Sequence, residues 1–267
     1  MHLLSSCLLL ALLVLPQGGC RSGPSSSSEP LRVFAAASLT NAFRETAAAY
    51  EANHRGERVE LQFGGSQMLR VQIERGARAD VFAAADWTSM DALVAAGLVR
   101  TPQPFAGNNL VLVWSRARSE RDSAAAATLE GIASPGVRVV LAEETVPIGR
   151  YTREVLRKAA ASPRFGPDFV RRVHRNVMSR ETNVRAVLAK VAIGEADAGF
   201  VYRTDALSAG DSLIAVEIPS DLNVTASYPI AVVTGSANQR RASALVAEVL
   251  GPWGQAVFRR HGFLPPP

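Results

Sequence analysis

From Leu31 onward the chain alternates between two patterns of apolar positions. Leu31-Arg-Val-Phe-Ala-Ala-Ala37 is a short apolar run that predicts a strand. Leu39, Phe43, Thr46, Ala47 and Tyr50 then recur at three- and four-residue spacing, with Arg44, Glu45 and Glu51 between them, which predicts an amphipathic helix. Arg58–Phe63 alternates as a strand. Gly64-Gly65-Ser66 opens a second helix carrying Leu69 and Ile73 that stops near Gly76. Asp80–Ala84 predicts a strand, and Trp87, Met90 and Val94 a helix that stops at Gly97. Leu110–Trp114 and Val137–Leu141 are further strands.

Pro147 suits a first helical turn, where a missing N–H costs nothing. The helix it starts carries Tyr151, Val155, Leu156 and Ala159. Thr182 and Asn183 are cap candidates for a helix with Val184, Val187, Leu188 and Val191. Gly199–Tyr202, Leu213–Glu217 and Tyr228–Val233 read as strands, and one last helical region runs from about Ala237 to Phe258. Repeated strand–helix alternation predicts an α/β fold with parallel sheets covered on both faces. The length of 267 residues leaves room for two such lobes.

The N-terminus follows another logic. Leu8–Leu15 is almost pure leucine, ends at Pro16, and is far too short to span a bilayer. It fits the apolar core of a secretory signal. Gln17-Gly18-Gly19-Cys20 and a Ser-rich spacer to Pro30 resemble a bacterial lipoprotein signal. That resemblance makes 1–20 the signal peptide, Cys20 the acylated first residue of the mature chain, and 21–30 a flexible tether. A plain secretory signal, in which Cys20 is discarded, is the alternative.

Composition narrows the chemistry. The two cysteines, Cys7 and Cys20, both precede the folded part, which removes a disulfide framework, a zinc–thiolate site and a cysteine nucleophile from it. The four histidines are scattered, with no His-x-x-x-His pair. The net charge of +5 comes almost wholly from dispersed arginines, and no basic block suggests nucleic acid.

In a sheet of this kind, ligands bind where strands end and helices begin. Four such junctions stand out: those at Ser38, Ser66, Ile148 and Val184. They are small, hydroxyl-bearing or backbone-exposing, and lack lysine, histidine and cysteine. Each alone is explained by ordinary capping. Together, four helix N-termini at roughly +0.5 charge each would match a dianion without a charged side chain.

The order of short motifs adds to this. Phe34-Ala-Ala-Ala-Ser38-Leu-Thr-Asn-Ala-Phe43 resembles the opening of the periplasmic molybdate-binding proteins of ABC transporters. The resemblance continues through Gln72–Gly76, Ala79–Phe82, Gly107–Leu110, Val146–Tyr151, Asn183–Arg185, Gly199–Ala206, Tyr228–Val233 and Phe258–Phe263. It implies a two-lobed type II periplasmic binding protein fold, with mixed sheets flanked by helices and two crossing hinge strands. Residues 31–108 and 229–267 would form lobe 1, and 109–228 lobe 2, hinged near Leu110–Trp114 and Tyr228–Val233.

It also implies a ligand set. Ser38 and Ser66 would each give a hydroxyl and a backbone N–H, Ile148 and Val184 a backbone N–H, and Tyr202 its phenol. These groups would contact the oxygens of molybdate or tungstate and not the metal itself, with no cofactor. Ile148 stands where the family has alanine, and Gly65 where serine is common. A core or hinge tyrosine is the lesser alternative for Tyr202. Asp80 and Asp205 are expected to be structural, because a carboxylate repels a dianion.

The implied partners are the oxyanion and a membrane permease driven by a cytoplasmic ATPase, with no nucleic acid and the lipid anchor as the link to the membrane. The implied location is the periplasm or cell envelope, and the protein is expected to be a monomer. Sulfate or another tetrahedral oxyanion is the serious alternative ligand. A serine hydrolase lacks its Gly-x-Ser-x-Gly elbow here and has no histidine near either serine. The sensory domain of a transcription regulator is contradicted by the signal peptide.

Overall fold

The computed structural model describes residues 29–118 and 127–267. The expected signal peptide, Cys20 and all but the end of the tether lie outside those residues. The strands are β1 (Leu31–Ala36), β2 (Val59–Gly64), β3 (Val81–Ala83), β4 (Gln103–Ser115), β5 (Val139–Ala142), β6 (Val177–Glu181), β7 (Ala198–Tyr202), β8 (Leu213–Glu217) and β9 (Thr225–Val232). The α-helices are α1 (Thr40–Asn53), α2 (Ser66–Glu74), α3 (Trp87–Ala95), α4 (Pro147–Ala161), α5 (Phe169–Arg175), α6 (Val184–Ala192), α7 (Arg203–Ala209), α8 (Gln239–Leu250) and α9 (Pro252–Arg260).

The strands run in the order β2-β1-β3-β9-β4-β7-β5-β6, with β8 also paired to β4. β1, β2 and β3 are parallel to one another, as are β5, β6 and β7. The parallel pairing read from strand–helix alternation stops at β4, β8 and β9, whose pairings are antiparallel, so the sheet is mixed, as the family resemblance implies. The reason is connectivity: two long strands carry the chain between the strand groups and back. β4 pairs with β9 through Asn109 and with β7 from Leu110 onward, so it passes from one group to the other within a single peptide unit. Trp114 lies four residues past that point, paired with Ala198 and Ile214 inside the second group.

Burial explains which strands the sequence announced. β3, β5 and β7 are buried at every position, so they appear as continuous apolar runs. β6, Val-Met-Ser-Arg-Glu, alternates between half-buried and exposed positions at the sheet edge, and its polar residues conceal it. α5 and α7, each seven residues long, are too short for a periodicity to show. The single last helix expected is two, because the Gly251–Pro252 pair ends α8 and starts α9. Phe43, Phe105, Phe258, Phe263 and Tyr228 pack edge to face at centroid distances of 5.0–6.3 Å, tying the C-terminal segment to the first strand group.

Candidate functional site

The chain reaches the same region at the ends of β1, β2, β3, β5, β6 and β7. After β1 it makes a 3-10 turn, Ala37–Leu39, that buries Ser38 before α1 begins. Gly65 leads into α2 with Ser66 as its first residue. Pro147 and Ile148 are the first two residues of α4. Asn183 caps α6, its side chain accepting from Ala186 N at 3.0 Å, and leaves Val184 in the first turn. Tyr202 ends β7.

The structure brings all five predicted residues together. Ser38, Ser66, Ile148, Val184 and Tyr202 line one cavity with Ala36, Ala37, Gly64, Gly65, Ala85, Val146, Pro147 and Asn183. The cavity volume is about 10 Å³, about the space of one water molecule. Among the described residues, no charged side chain lines it. All five predicted residues are buried.

The donors are arranged to face inward. Ser66, Ile148 and Val184 lie in first helical turns, where the helix itself offers their N–H groups no acceptor. Ser66 Oγ accepts from Ala85 N at 3.0 Å, which leaves its own proton to donate elsewhere. Ser38 Oγ lies 3.1 Å from Tyr228 Oη. The Tyr202 phenol is buried among Tyr151 and Tyr228, with ring centroids 6.4 and 5.7 Å away. Its oxygen meets hydrogen-bond geometry with no described group. Burial pushes the Tyr202 and Tyr228 phenols well above their ordinary range, so both stay protonated.

The two aspartates take structural places. Asp80 accepts from Arg32 N at 2.7 Å and holds Ser236 and Asn238. Asp205 is fully buried, and burial pushes its carboxyl up to about 6 against the downward pull of Arg185. Their contact is 2.8 Å, an ion pair and not an aligned hydrogen bond. Neither carboxylate lines the cavity. The Gly65 departure has a packing cause: a Cβ there would run into the Thr182 carbonyl oxygen and the Gln67 side chain.

Sequence reasoning missed Ala85, Asn108 and Tyr228 as parts of this region. Ala85 acts through its backbone and leaves no signal. Asn108 and Tyr228 are buried, but Asn109 beside one and Ser227 beside the other are polar too, so neither stands out in its strand.

A mixed α/β fold with two crossing strands and a donor-lined cavity at the strand ends is that of a type II periplasmic binding protein. The comparisons agree. A family model for bacterial extracellular solute-binding proteins matches residues 31–264, and the chain belongs to that family. It is 34% identical over 272 residues to the molybdate-binding protein ModA of Mycobacterium tuberculosis H37Rv, covering 98% of each chain. Among solved structures, the periplasmic molybdate-binding protein of Azotobacter vinelandii matches with a TM-score of 0.72 at 19% identity, covering 89% of this chain and 100% of that one. The sulfate-binding protein SubI of Mycobacterium tuberculosis matches at 0.76 and 20% identity, covering 89% and 87%. These two likenesses establish the fold. Members of the family are extracytoplasmic binding proteins of transport systems, and no described helix is long and apolar enough to cross a membrane.

Proposed function

We propose that this protein captures molybdate, and tungstate with it, outside the cytoplasm and delivers the ion to an ABC permease. The observation that carries the reading is a cavity lined by hydroxyls and first-turn N–H groups with no charged side chain. The full-length likeness to a protein named for molybdate supports the choice of ion.

In this reading Ser38 and Ser66 give hydroxyl and backbone donors, Ile148 and Val184 give N–H groups, and Tyr202 gives its phenol proton. Residues 31–108 and 229–267 act as one lobe and 109–228 as the other, closing over the ion. Cys20 carries a lipid that holds the protein at the membrane beside its permease, and the protein works as a monomer without a cofactor.

The chemistry selects a fully ionised dianion. Every group assigned to the ligand is a donor, so a protonated oxyanion would meet donors with a donor of its own. That leaves a buried polar group unpaired, at a cost of about 1–3 kcal/mol. Monohydrogen phosphate is therefore rejected. Equilibrium dialysis of the purified protein against molybdate, followed by elemental analysis, is expected to give one molybdenum per chain, undiminished by excess phosphate at pH 7. Displacement by phosphate would overturn the donor-only site.

A further inference from the structure

A serine hydroxyl that serves an anion has two tasks. It accepts a hydrogen bond from behind and sends its own proton forward. For Ser66 the direction is fixed by the backbone, because Ala85 N–H can only donate to it. Ser38 has no such guard. Its neighbour is the Tyr228 hydroxyl at 3.1 Å, and either oxygen can be the donor. If Ser38 donates to Tyr228, serine lone pairs face the cavity and repel an anion. If Tyr228 donates to Ser38, the serine proton is free for the ligand.

Asn108 breaks this tie. It is buried in β4, one residue before the pairing passes from one strand group to the other. Its amide nitrogen donates to Thr204 Oγ1 at 2.9 Å and to Tyr228 Oη at 3.5 Å. A Tyr228 oxygen that accepts from Asn108 keeps its single proton for Ser38. We propose that Asn108 and Tyr228 are positioning residues for the ligand, forming a one-way chain from the Asn108 amide through the Tyr228 hydroxyl to the Ser38 hydroxyl and on to the bound oxyanion. The inference rests on reading the cavity as an oxyanion site.

Tyr228 is built for the task. It has no exposed surface, and its ring is held edge-on by Phe105, Tyr202 and Phe263 at 6.3, 5.7 and 5.6 Å, so its oxygen has little freedom to wander. Burial keeps its proton in place at any pH the protein meets. The two serines thus reach the same polarity by different routes, one through a backbone amide and one through two side chains.

The test is a double-mutant cycle on molybdate affinity, read by calorimetry. Tyr228→Phe keeps the ring and its packing and removes only the proton passed to Ser38. Affinity is expected to fall about tenfold in the otherwise native chain and about tenfold again in the Ser66→Ala chain. In the Ser38→Ala chain it is expected to stay within about twofold, because nothing remains to be oriented. A merely structural Tyr228 would weaken binding alike in all three backgrounds. That result, or native affinity in Tyr228→Phe, overturns the chain.

Should Tyr228→Phe fail to fold, Asn108→Leu asks the same question from the other end. It removes the amide donor without adding a charge, so nothing holds the Tyr228 proton toward Ser38. Affinity is then expected to fall with Ser38 present and to hold in Ser38→Ala, and a fall in both backgrounds overturns the chain. If the native protein takes sulfate in preference to molybdate, the same cycle run with sulfate decides the chain separately from the choice of ion.

Discussion

Each hydroxyl aimed at a buried dianion replaces a hydrogen bond that the ion would otherwise make to water. Such a bond to a charged acceptor is worth roughly 1.5–3 kcal/mol. Ser66→Ala, Ser38→Ala and Tyr202→Phe are each expected to lower molybdate affinity about ten- to a hundredfold. Val184→Ala is expected to do far less, since Val184 is assigned only its N–H. Calorimetry on the four variants checks this, and native affinity in both serine variants would contradict it.

The pH behaviour divides between ligand and fold. With both phenols held above their ordinary range by burial, none of the ligand groups titrates between pH 7 and 9, so affinity should be flat there. Asp205 concerns stability instead. Its carboxyl titrates at about 6 in the fold and at about 3.9 in an unfolded chain. Between those values the folded chain holds a proton that the unfolded chain has released. The group's contribution to stability is therefore full below about pH 4 and lost as pH rises through 6. It amounts to a few kcal/mol at most. Urea unfolding should show the stability gap between native protein and Asp205→Asn moving in favour of the variant from pH 4 to pH 7. A gap that does not change with pH would contradict the buried carboxyl's role.

At the scale of elements, α2, α4 and α6 each present a first turn to the cavity, and contacts across it join the two strand groups. Gln67 of α2 donates to Thr182 O at 2.9 Å, Tyr151 of α4 donates to Ala85 O at 3.3 Å, and Arg150 of α4 pairs with Asp86, the cap of α3. Asp86 is almost wholly buried. Removing the arginine leaves that carboxylate uncompensated when the cavity is covered, which is costly. Arg150→Met is expected to speed molybdate release about tenfold, with association little changed, by stopped-flow fluorescence. An unchanged release rate would show that the ion pair does not help hold the cleft shut.

These cross-cleft contacts also mark the limit of what the sequence makes legible. The helices that form the cavity were visible because proline, serine and asparagine announce first turns. Their convergence followed from the strand–helix order and from a family resemblance. The partners of Ser66 and Ser38 were not visible, because one is a backbone N–H of Ala85 and the other a tyrosine 190 residues away. The edge strand β6 and the antiparallel runs of β4 and β9 escaped because polar edge residues and long-range pairing leave no local periodicity.

For the molecule as a whole, two strands, β4 and β9, link two parallel groups with the cavity between them. That architecture suits a protein that closes over its ligand and is then recognised in the closed form. X-ray scattering is expected to show a smaller radius of gyration on adding molybdate, and an unchanged radius would contradict closure. The fold alone leaves the ion open, since it serves the sulfate-binding protein of Mycobacterium tuberculosis as well as the molybdate-binding protein of Azotobacter vinelandii. The direct measurement is a calorimetric titration of the purified protein with molybdate, alone and after saturation with sulfate. One-to-one binding is expected in both titrations, with molybdate displacing sulfate. Equal or tighter binding of sulfate would contradict the choice of molybdate while leaving the fold and the donor-lined cavity intact.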